Sequence, residues 1–360
     1  MSNETLMPAD PRPRTTVRAG GTSFVGLVGV ELRRLWWRRL TKVAIVAIIA
    51  FVGIASYSAY QETRPETIAQ RLDDFKQNVA EMKKQQDAMS AQEKASQLAE
   101  CRAQEQQASG DSPVDFGCEQ MFAPPTLQDY GLVDTGRDEL VRAVAQASVY
   151  VLGFLAFLLG ASFVAAEFSS GAMGNWLTFA PRRLQVAASK LSAATLAGAA
   201  LAGLGVGLLL LTITGVTTIN RPDASLNLPD AIPSSTEPLY LSLVRIVTVV
   251  ALGGLGGAAI GLLLRSTAAV VGGILAYAVI VEGFVASGIG DGRYRPWTVS
   301  LNIDAFVQNG ATYYVTKCDA NGCQGVSATN SFTHGWVYLL VIAVVGVVAA
   351  LAVFRRRDVT

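Results

Sequence analysis

The sequence has few charged residues for its length. They make up 16% of the 360 residues, against about a quarter in a typical soluble domain, whereas hydrophobic residues make up 51%. A chain with so little polar surface is suited to a lipid environment. Its net charge of +1 also argues against a nucleic-acid-binding domain, which is usually strongly basic.

The sequence also lacks the patterns on which most enzymes and metal sites depend. His334 is the single histidine, so a histidine-based metal cluster is excluded. There is no nucleophile elbow, no HExxH and no pair of carboxylates at a useful helical spacing. The glycines at 254–261 imitate nucleotide-binding loops, but Leu262 replaces the lysine of a phosphate loop and no strand precedes them. We therefore predict a protein that is not an enzyme and binds no metal or cofactor itself.

Long apolar runs dominate what is present. A helix needs about 20 apolar residues to cross roughly 30 Å of hydrocarbon. Six runs satisfy this requirement, at residues 42–60, 143–166, 190–216, 239–264, 267–287 and 336–354. The predicted fold is an all-α polytopic membrane protein with six transmembrane helices.

Basic residues indicate the orientation of these spans. They cluster beside the segments that six spans would place on one side of the membrane, and the positive-inside rule makes that side cytoplasmic. Both termini then lie in the cytoplasm, and the protein is predicted to be a multi-pass protein of the cell (plasma) membrane. We interpret four of these residues as lipid-headgroup anchors: Arg182, Arg183, Arg355 and Arg356.

The segments outside the spans differ in character. Residues 1–22, which contain several prolines and glycines, are predicted to be a disordered cytoplasmic tail, and residues 355–360 a second short tail. Residues 23–41 combine apolar helical spacing with arginines and tryptophans, which is typical of an interfacial helix. The alternative is that they are only the charged flank of the first span.

The longest polar block, residues 61–142, is predicted to be a partly helical extracytoplasmic loop. Its apolar residues at 68–89 recur at spacings of three and four, so we expect them to pack on the same loop or on a partner copy. Residues 217–238 and 288–335 are predicted to be two further outer loops.

All four cysteines fall in these outer loops, where disulfides persist. The natural local pairings are Cys101–Cys118 and Cys318–Cys323, although four cysteines permit three connectivities. A zinc site is the alternative, but the sequence lacks a suitable spacing and a histidine partner.

Two ionisable residues lie inside the predicted spans. Arg245 and Glu282 occupy similar depths in the outer half of their spans, and a lone charge there is costly. We hypothesise an ion pair between them. Its role is either to fix two adjacent helices or to provide a polar lining to a substrate path.

Glycines within the spans indicate close helix packing. Gly253, Gly257 and Gly261 recur every four residues, and Gly203 and Gly207 continue a similar row that starts at Ala199. Such rows allow a neighbouring helix to approach closely.

The predicted cytoplasmic segment 167–189 has the composition of a short amphipathic helix. An acid, Glu167, stands at its entrance, and Gly171 follows. Trp176 and Leu177 offer an apolar face before Pro181 ends the segment. From these residues alone, a docking element for another protein and an ordinary interfacial loop remain equally open.

The order of residues in this segment resembles the loop between spans two and three of type-2 ABC exporter permeases. Three other positions fit the layout of that family: the helix with Glu31 to Arg34 before span one, the Arg265-Ser266-Thr267 turn, and the closing Arg356-Arg357-Asp358. Ala172 departs from it where Thr or Ser is common, and the first outer loop is unusually long. The segment as a whole contains Glu167, Gly171, Trp176, Leu177, Pro181, Arg182, Arg183 and Lys190.

The resemblance implies a permease subunit that exports a small molecule or lipid. It would pair with a second copy or a paralogue, contact membrane lipids but no nucleic acid, and be driven by a separate ATP-binding subunit that holds ATP and Mg. Coupling to that subunit would involve Glu167, Gly171, Trp176, Leu177 and Pro181. The alternatives are a membrane-anchored sensor or scaffold that acts through its outer loops, and an ATP-independent transporter.

Overall fold

The computed structural model describes residues 23–108, 116–174, 182–220, 228–229, 236–286, 289, 291–319 and 322–356. The predicted tail at 1–22, residues 357–360 of the predicted tail at 355–360, and the predicted coupling residues Trp176, Leu177 and Pro181 lie outside these ranges. In chain order the elements are α1 (Phe24–Trp36), α2 (Arg39–Thr63), α3 (Pro65–Ala88), α4 (Ala91–Ala108), α5 (Arg137–Ser169), α6 (Arg183–Ile219), α7 (Leu239–Leu264), α8 (Thr267–Tyr277) with a π-helical extension (Ala278–Val285), α9 (Val299–Val307), β1 (Ala311–Asp319), β2 (Gly322–Asn330) and α10 (Phe332–Arg356).

Six of these helices are long and apolar enough to span a membrane, judged by length and composition: α2, α5, α6, α7, α8 with its extension, and α10. This confirms the predicted number of candidate spans and a mainly helical polytopic fold. The prediction of an all-α chain missed the antiparallel hairpin of β1 and β2, in which Ala311 lies opposite Asn330.

Contacts between the helices define two ends of the bundle. At one end the Phe168 ring of α5 meets the Phe354 ring of α10, with centroids 6.2 Å apart. We call this the basic end. At the other, Asn220 after α6 donates from Nδ2 to the Tyr60 carbonyl of α2 at 2.8 Å. We call it the hairpin end, because the β hairpin adjoins α10 there. The basic end corresponds to the face predicted to be cytoplasmic.

Glycine allows α5 and α7 to touch backbone to backbone. A Cβ added to Gly257 would lie 2.0 Å from the Phe157 carbonyl oxygen, and Gly253 and Gly261 also face α5. The predicted close approach along this row is confirmed.

The second predicted glycine row does not make such contacts. A Cβ on Gly203 or Gly207 would meet nothing within 4 Å, whereas one on Gly198 would lie 2.9 Å from the Val250 carbonyl oxygen of α7. Gly203 follows Gly198 by five residues, about 140° away around a 3.6-residue helix. The packing face of α6 was therefore assigned wrongly.

Helices α3 and α4 form most of the long loop between the first two spans, joined by a reciprocal cap. The Ser90 backbone N–H donates to Glu93 Oε2 at 2.8 Å, and the Glu93 N–H donates to Ser90 Oγ at 3.2 Å. The apolar stripe of α3 is half-buried, and the Phe75 ring meets Tyr130 edge-on with centroids 5.2 Å apart. The stripe thus packs on its own loop, which is one of the two arrangements predicted from the sequence.

A disulfide links Cys101 of α4 to Cys118, which confirms one predicted pairing. The second pairing concerns Cys318 and Cys323. Their backbones lie directly opposite each other in the β1–β2 register. Their side chains fall outside the described part of the structure, so that disulfide stays a prediction.

Candidate functional site

Three charged side chains from three helices meet at the basic end. The Lys190 ammonium of α6 lies 2.6 Å from Glu167 Oε2 of α5 and 2.7 Å from Glu31 Oε1 of α1. All three residues are buried, with Lys190 0% and each glutamate 2% exposed. Burying a charged side chain is costly unless it is paired, so the two acids are what stabilise Lys190 at this buried position.

Two arginines complete what we call the buried charge network, which consists of Glu31, Arg34, Arg38, Glu167 and Lys190. Arg34 contacts Glu31 Oε2 at 3.3 Å and Glu167 Oε1 at 3.0 Å. Arg38 lies 3.6 Å from Glu167 Oε1. The network holds three cations and two anions, and it ties α1 to the adjoining ends of α5 and α6.

Neighbouring groups fix the geometry of the cations. Arg38 Nη1 donates to the Ser162 carbonyl oxygen at 3.0 Å. The Arg38 guanidinium and the Lys190 ammonium each lie 5.0 Å from the centre of the Phe163 ring, which is within cation–π range. One aromatic side chain of α5 therefore supports both cations.

The pattern of α1 explains why Glu31 is buried. Its buried residues are Leu27, Val28, Glu31 and Leu35, which share one helical face. Because Glu31 stands within this apolar stripe, packing α1 against the bundle takes the carboxylate out of water. Each buried charge costs several kcal/mol unless it is paired, so docking of α1 requires Lys190 and Arg34. The predicted interfacial helix is thus a packed helix with one exposed face.

The structure changes the interpretation of Glu167. The sequence placed this acid at the start of a cytoplasmic segment, where it would favour a following helix N-terminus. It lies instead near the carboxyl end of α5, buried and paired. Glu167 therefore offers no exposed surface to a partner protein, and a coupling role for it, which stays a prediction, would have to act through Lys190 and the arginines.

The other predicted residues of this segment lie around the network. Gly171 adopts a φ of +70° just after α5, a conformation that favours glycine, and so ends the helix. Arg182 is exposed and Arg183 begins α6. Arg355 and Arg356 are exposed at the end of α10. These four arginines lie where headgroup anchors would be expected, although their predicted role is not tested by their position alone.

The predicted ion pair between Arg245 and Glu282 does not form. Arg245 instead pairs with Glu237, with Nη1 to Oε2 at 2.6 Å and Nη2 to Oε1 at 3.0 Å. Glu237 lies two residues before α7 and was assigned to a loop, so counting depth along the apolar runs overlooked it.

Glu282 has a different function in the fold. Its Oε1 accepts hydrogen bonds from the backbone N–H groups of Val299 at 2.9 Å and Ser300 at 3.1 Å. The first N–H groups of a helix have no partner within it. Glu282, in the π-helical extension of α8, thus caps α9.

Sequence reasoning missed most of the buried charge network. The sequence indicates Lys190 only as a basic residue of the predicted cytoplasmic segment and of the family pattern, and Glu31 only as part of the helix before span one. One signal was available: an acid at a stripe position of an amphipathic helix predicts a buried cation nearby. Buried Arg142 of α5 was also missed; it donates to Ser242 Oγ at 2.7 Å and links α5 to α7 at the hairpin end.

No family model matches the chain, and neither a curated protein nor a solved structure is significantly similar to it. Among the described residues, no group of three or more His, Cys, Asp or Glu side chains is arranged to hold a metal ion. The buried charge network is therefore the best-defined polar site at the basic end on which to base a functional proposal.

Proposed function

We propose that this chain is the permease subunit of a type-2 ABC exporter, located in the plasma membrane and driven by a separate ATP-binding subunit. The observation that carries the proposal is the buried charge network. It links α1 to α5 and α6, the two helices that flank the segment whose sequence resembles the family's coupling loop. A push on that segment or on α1 would then reach both spans together.

The proposed mechanism uses the network as a joint. Coupling requires that the two states of the transporter differ in their contacts with the ATP-binding subunit. Residues 170–182 and the exposed face of α1 would supply those contacts. Because Lys190 holds acids from both α1 and α5, displacement of α1 would move the ends of α5 and α6 as a unit. The glycine-lined contact would pass this movement from α5 to α7.

Co-purification from detergent with a candidate ATP-binding subunit tests the proposal. Wild type should retain the subunit and its ATPase activity, whereas the Trp176→Ala/Leu177→Ala double variant should lose it. Glu31→Gln preserves shape but weakens the network, so it should retain the subunit and uncouple ATP hydrolysis from transport. Tyr314→Ala, on the exposed face of β1, is the control and should behave as wild type.

Either of two results would contradict this function. One is that no ATP-binding subunit co-purifies with wild type, and the other is that the double variant binds and hydrolyses ATP as wild type does. An ATP-independent transporter would give the first result while still moving its substrate.

A sensor or scaffold that acts through the long loop is the second candidate. One observation favours it: a reciprocal cap joins α3 to α4, and the Cys101–Cys118 disulfide ties α4 to the segment that follows it. Cross-linking of this loop to a soluble partner, with no ATP-binding subunit bound, would support this second function.

A further inference from the structure

The elbow between α1 and α2 divides its cations into two sets. Arg34 and Arg38 point into the buried charge network. Arg33, Arg39 and Lys42 are exposed, and no acid among the described residues forms an ion pair with any of these three. The inward set therefore neutralises the protein's own acids, while the outward set is available to another anion.

Aromatic side chains lie between the outward cations. Trp36 and Trp37 are 63% and 67% exposed. The Lys42 ammonium lies 5.9 Å from the centre of the Trp37 ring. The Trp37 backbone N–H donates to the Arg33 carbonyl oxygen at 3.3 Å, which places Arg33 one helical turn away. The exposed tryptophan pair thus lies beside Lys42 and within one helical turn of Arg33, and Arg39 follows it by two residues.

The next turns of α2 are apolar and exposed. Val43 and Val46 are 60% and 65% exposed and follow Lys42 directly toward the interior of the first span. Along the chain the order is therefore Arg33, the tryptophan pair, Arg39 and Lys42, and then aliphatic side chains. A mixture of cations and tryptophans followed by aliphatic side chains suits the headgroup and glycerol region of a phospholipid followed by its acyl chains, and tryptophan is enriched at the boundary between headgroups and hydrocarbon.

We infer that this elbow is a binding site for an anionic phospholipid, with Arg33, Arg39 and Lys42 on the headgroup and Trp36 and Trp37 at the glycerol level. Charge complementarity selects the anionic headgroup, because clustered basic residues beside a span attract anionic lipid. Arginine also matches phosphate in its planar, bidentate geometry. The inference does not depend on the permease function, since it rests on the elbow alone.

The lipid would also hold the buried charge network together. Arg33 and Arg39 are each next in sequence to a network arginine, so a headgroup bound outside fixes the backbone that positions Arg34 and Arg38 inside. Anionic lipid is therefore expected to stabilise the whole chain against unfolding.

The test is thermal unfolding of the full chain in detergent with added palmitoyl-oleoyl phosphatidylglycerol or the matching phosphatidylcholine. We expect phosphatidylglycerol to raise the Tm with about a tenfold lower half-saturating concentration than phosphatidylcholine. Soluble glycerol phosphate should have no effect, because it lacks the acyl chains, and 0.5 M NaCl should reduce the shift. The Arg33→Gln/Arg39→Gln/Lys42→Gln variant should lose the preference. The matched control, Lys83→Gln/Lys84→Gln/Lys94→Gln in α3 and α4, should keep it.

A second measurement covers the case in which the triple variant does not fold. Wild type is reconstituted with lipid brominated along the acyl chain, and quenching of tryptophan fluorescence is compared with that of Trp36→Phe/Trp37→Phe. Brominated phosphatidylglycerol should quench wild type more than brominated phosphatidylcholine does, and the difference should vanish in the variant. Equal quenching by the two lipids in wild type, or a folded triple variant with an unchanged lipid preference, would overturn the inference.

Discussion

Replacing Lys190 by methionine removes the charge at the centre of the buried charge network while keeping an unbranched side chain that is one atom shorter. In the wild type, Lys190 is the fully buried cation and makes the shortest contacts, at 2.6 and 2.7 Å. The remaining cations, Arg34 and Arg38, are 34% and 25% exposed and lie 3.0 to 3.6 Å from the acids. They would compensate Glu31 and Glu167 only in part.

The expected loss of stability follows from these contacts. Removing one partner of a buried ion pair costs about 3–5 kcal/mol. Because two arginines remain near the acids, we expect the lower limit, about 3 kcal/mol. For a chain of this size 1 kcal/mol corresponds to about 2 °C, so the Tm should fall by about 6 °C. Thermal unfolding in one detergent, followed by size-exclusion fluorescence, measures this change.

Two further variants make the result specific. Lys84→Met changes the same residue type at an exposed position of α3 and should leave the Tm unchanged. The Glu31→Gln/Glu167→Gln/Lys190→Met variant removes the acids together with the lysine. It should recover part of the loss, because it removes the three fully buried charged groups together, while the arginines that lose their acids, Arg34 and Arg38, are 34% and 25% exposed to water. A Lys190→Met Tm equal to wild type, or a triple variant less stable than the single one, would refute the electrostatic argument.

Three other predictions follow from the fold. Gly257→Ala would place a Cβ 2.0 Å from a backbone oxygen of α5 and should lower the free energy of unfolding by about 2 kcal/mol, which the Tm measures. Gly256→Ala, whose Cβ would meet nothing within 4 Å, should leave the Tm unchanged. Cys101→Ser should lower the free energy of unfolding by about 3 kcal/mol, because it opens a loop closed over 17 residues, and maleimide should then label Cys118 in denatured protein without reductant. Burial raises the pKa of the Asp304 carboxyl. The stability that Asp304 contributes is therefore fully present below its unfolded pKa near 4 and is lost as pH rises through its folded pKa. In a plot of Tm against pH, this loss should be smaller for Asp304→Asn than for wild type.

The candidate spans and the Cys101–Cys118 pairing were predictable because each depends on neighbouring residues. The length of an apolar run directly predicts a membrane-spanning helix. The Cys101–Cys118 pair closes a short polar loop. The glycine row that starts at Gly253 carries its own period of four. For each of these features, the residues that form it lie close together in the sequence.

The buried charge network was not predictable in the same way. Glu31 and Lys190 are 159 positions apart, and only the docking of α1 on α6 brings them together. The sequence could indicate that Glu31 interrupts an apolar stripe and needs a cation. It could not show which of the many basic residues near the predicted cytoplasmic face would meet that need.

The error over Arg245 and Glu282 has a different physical cause. Equal depth was inferred by counting residues along two apolar runs, as if both helices were straight and regular. The run that contains Glu282 becomes π-helical from Ala278 to Val285, and such stretches shift the side chains that follow. Glu282 therefore reaches the N-terminus of α9, while Arg245 finds an acid just outside its own span.

The position of Glu167 changes how its mutants should be interpreted. An acid at a docking surface would be exposed, and its removal would delete one contact with a partner. Glu167 is 2% exposed. Arg34 and Lys190 each contact both Glu167 and Glu31. A defect caused by losing Glu167 would therefore report a displaced α1, and changes at Arg34 or Glu31 should reproduce it although neither lies in the coupling segment. Direct contact with a partner has to be sought instead in residues 170–182 and on the exposed face of α1.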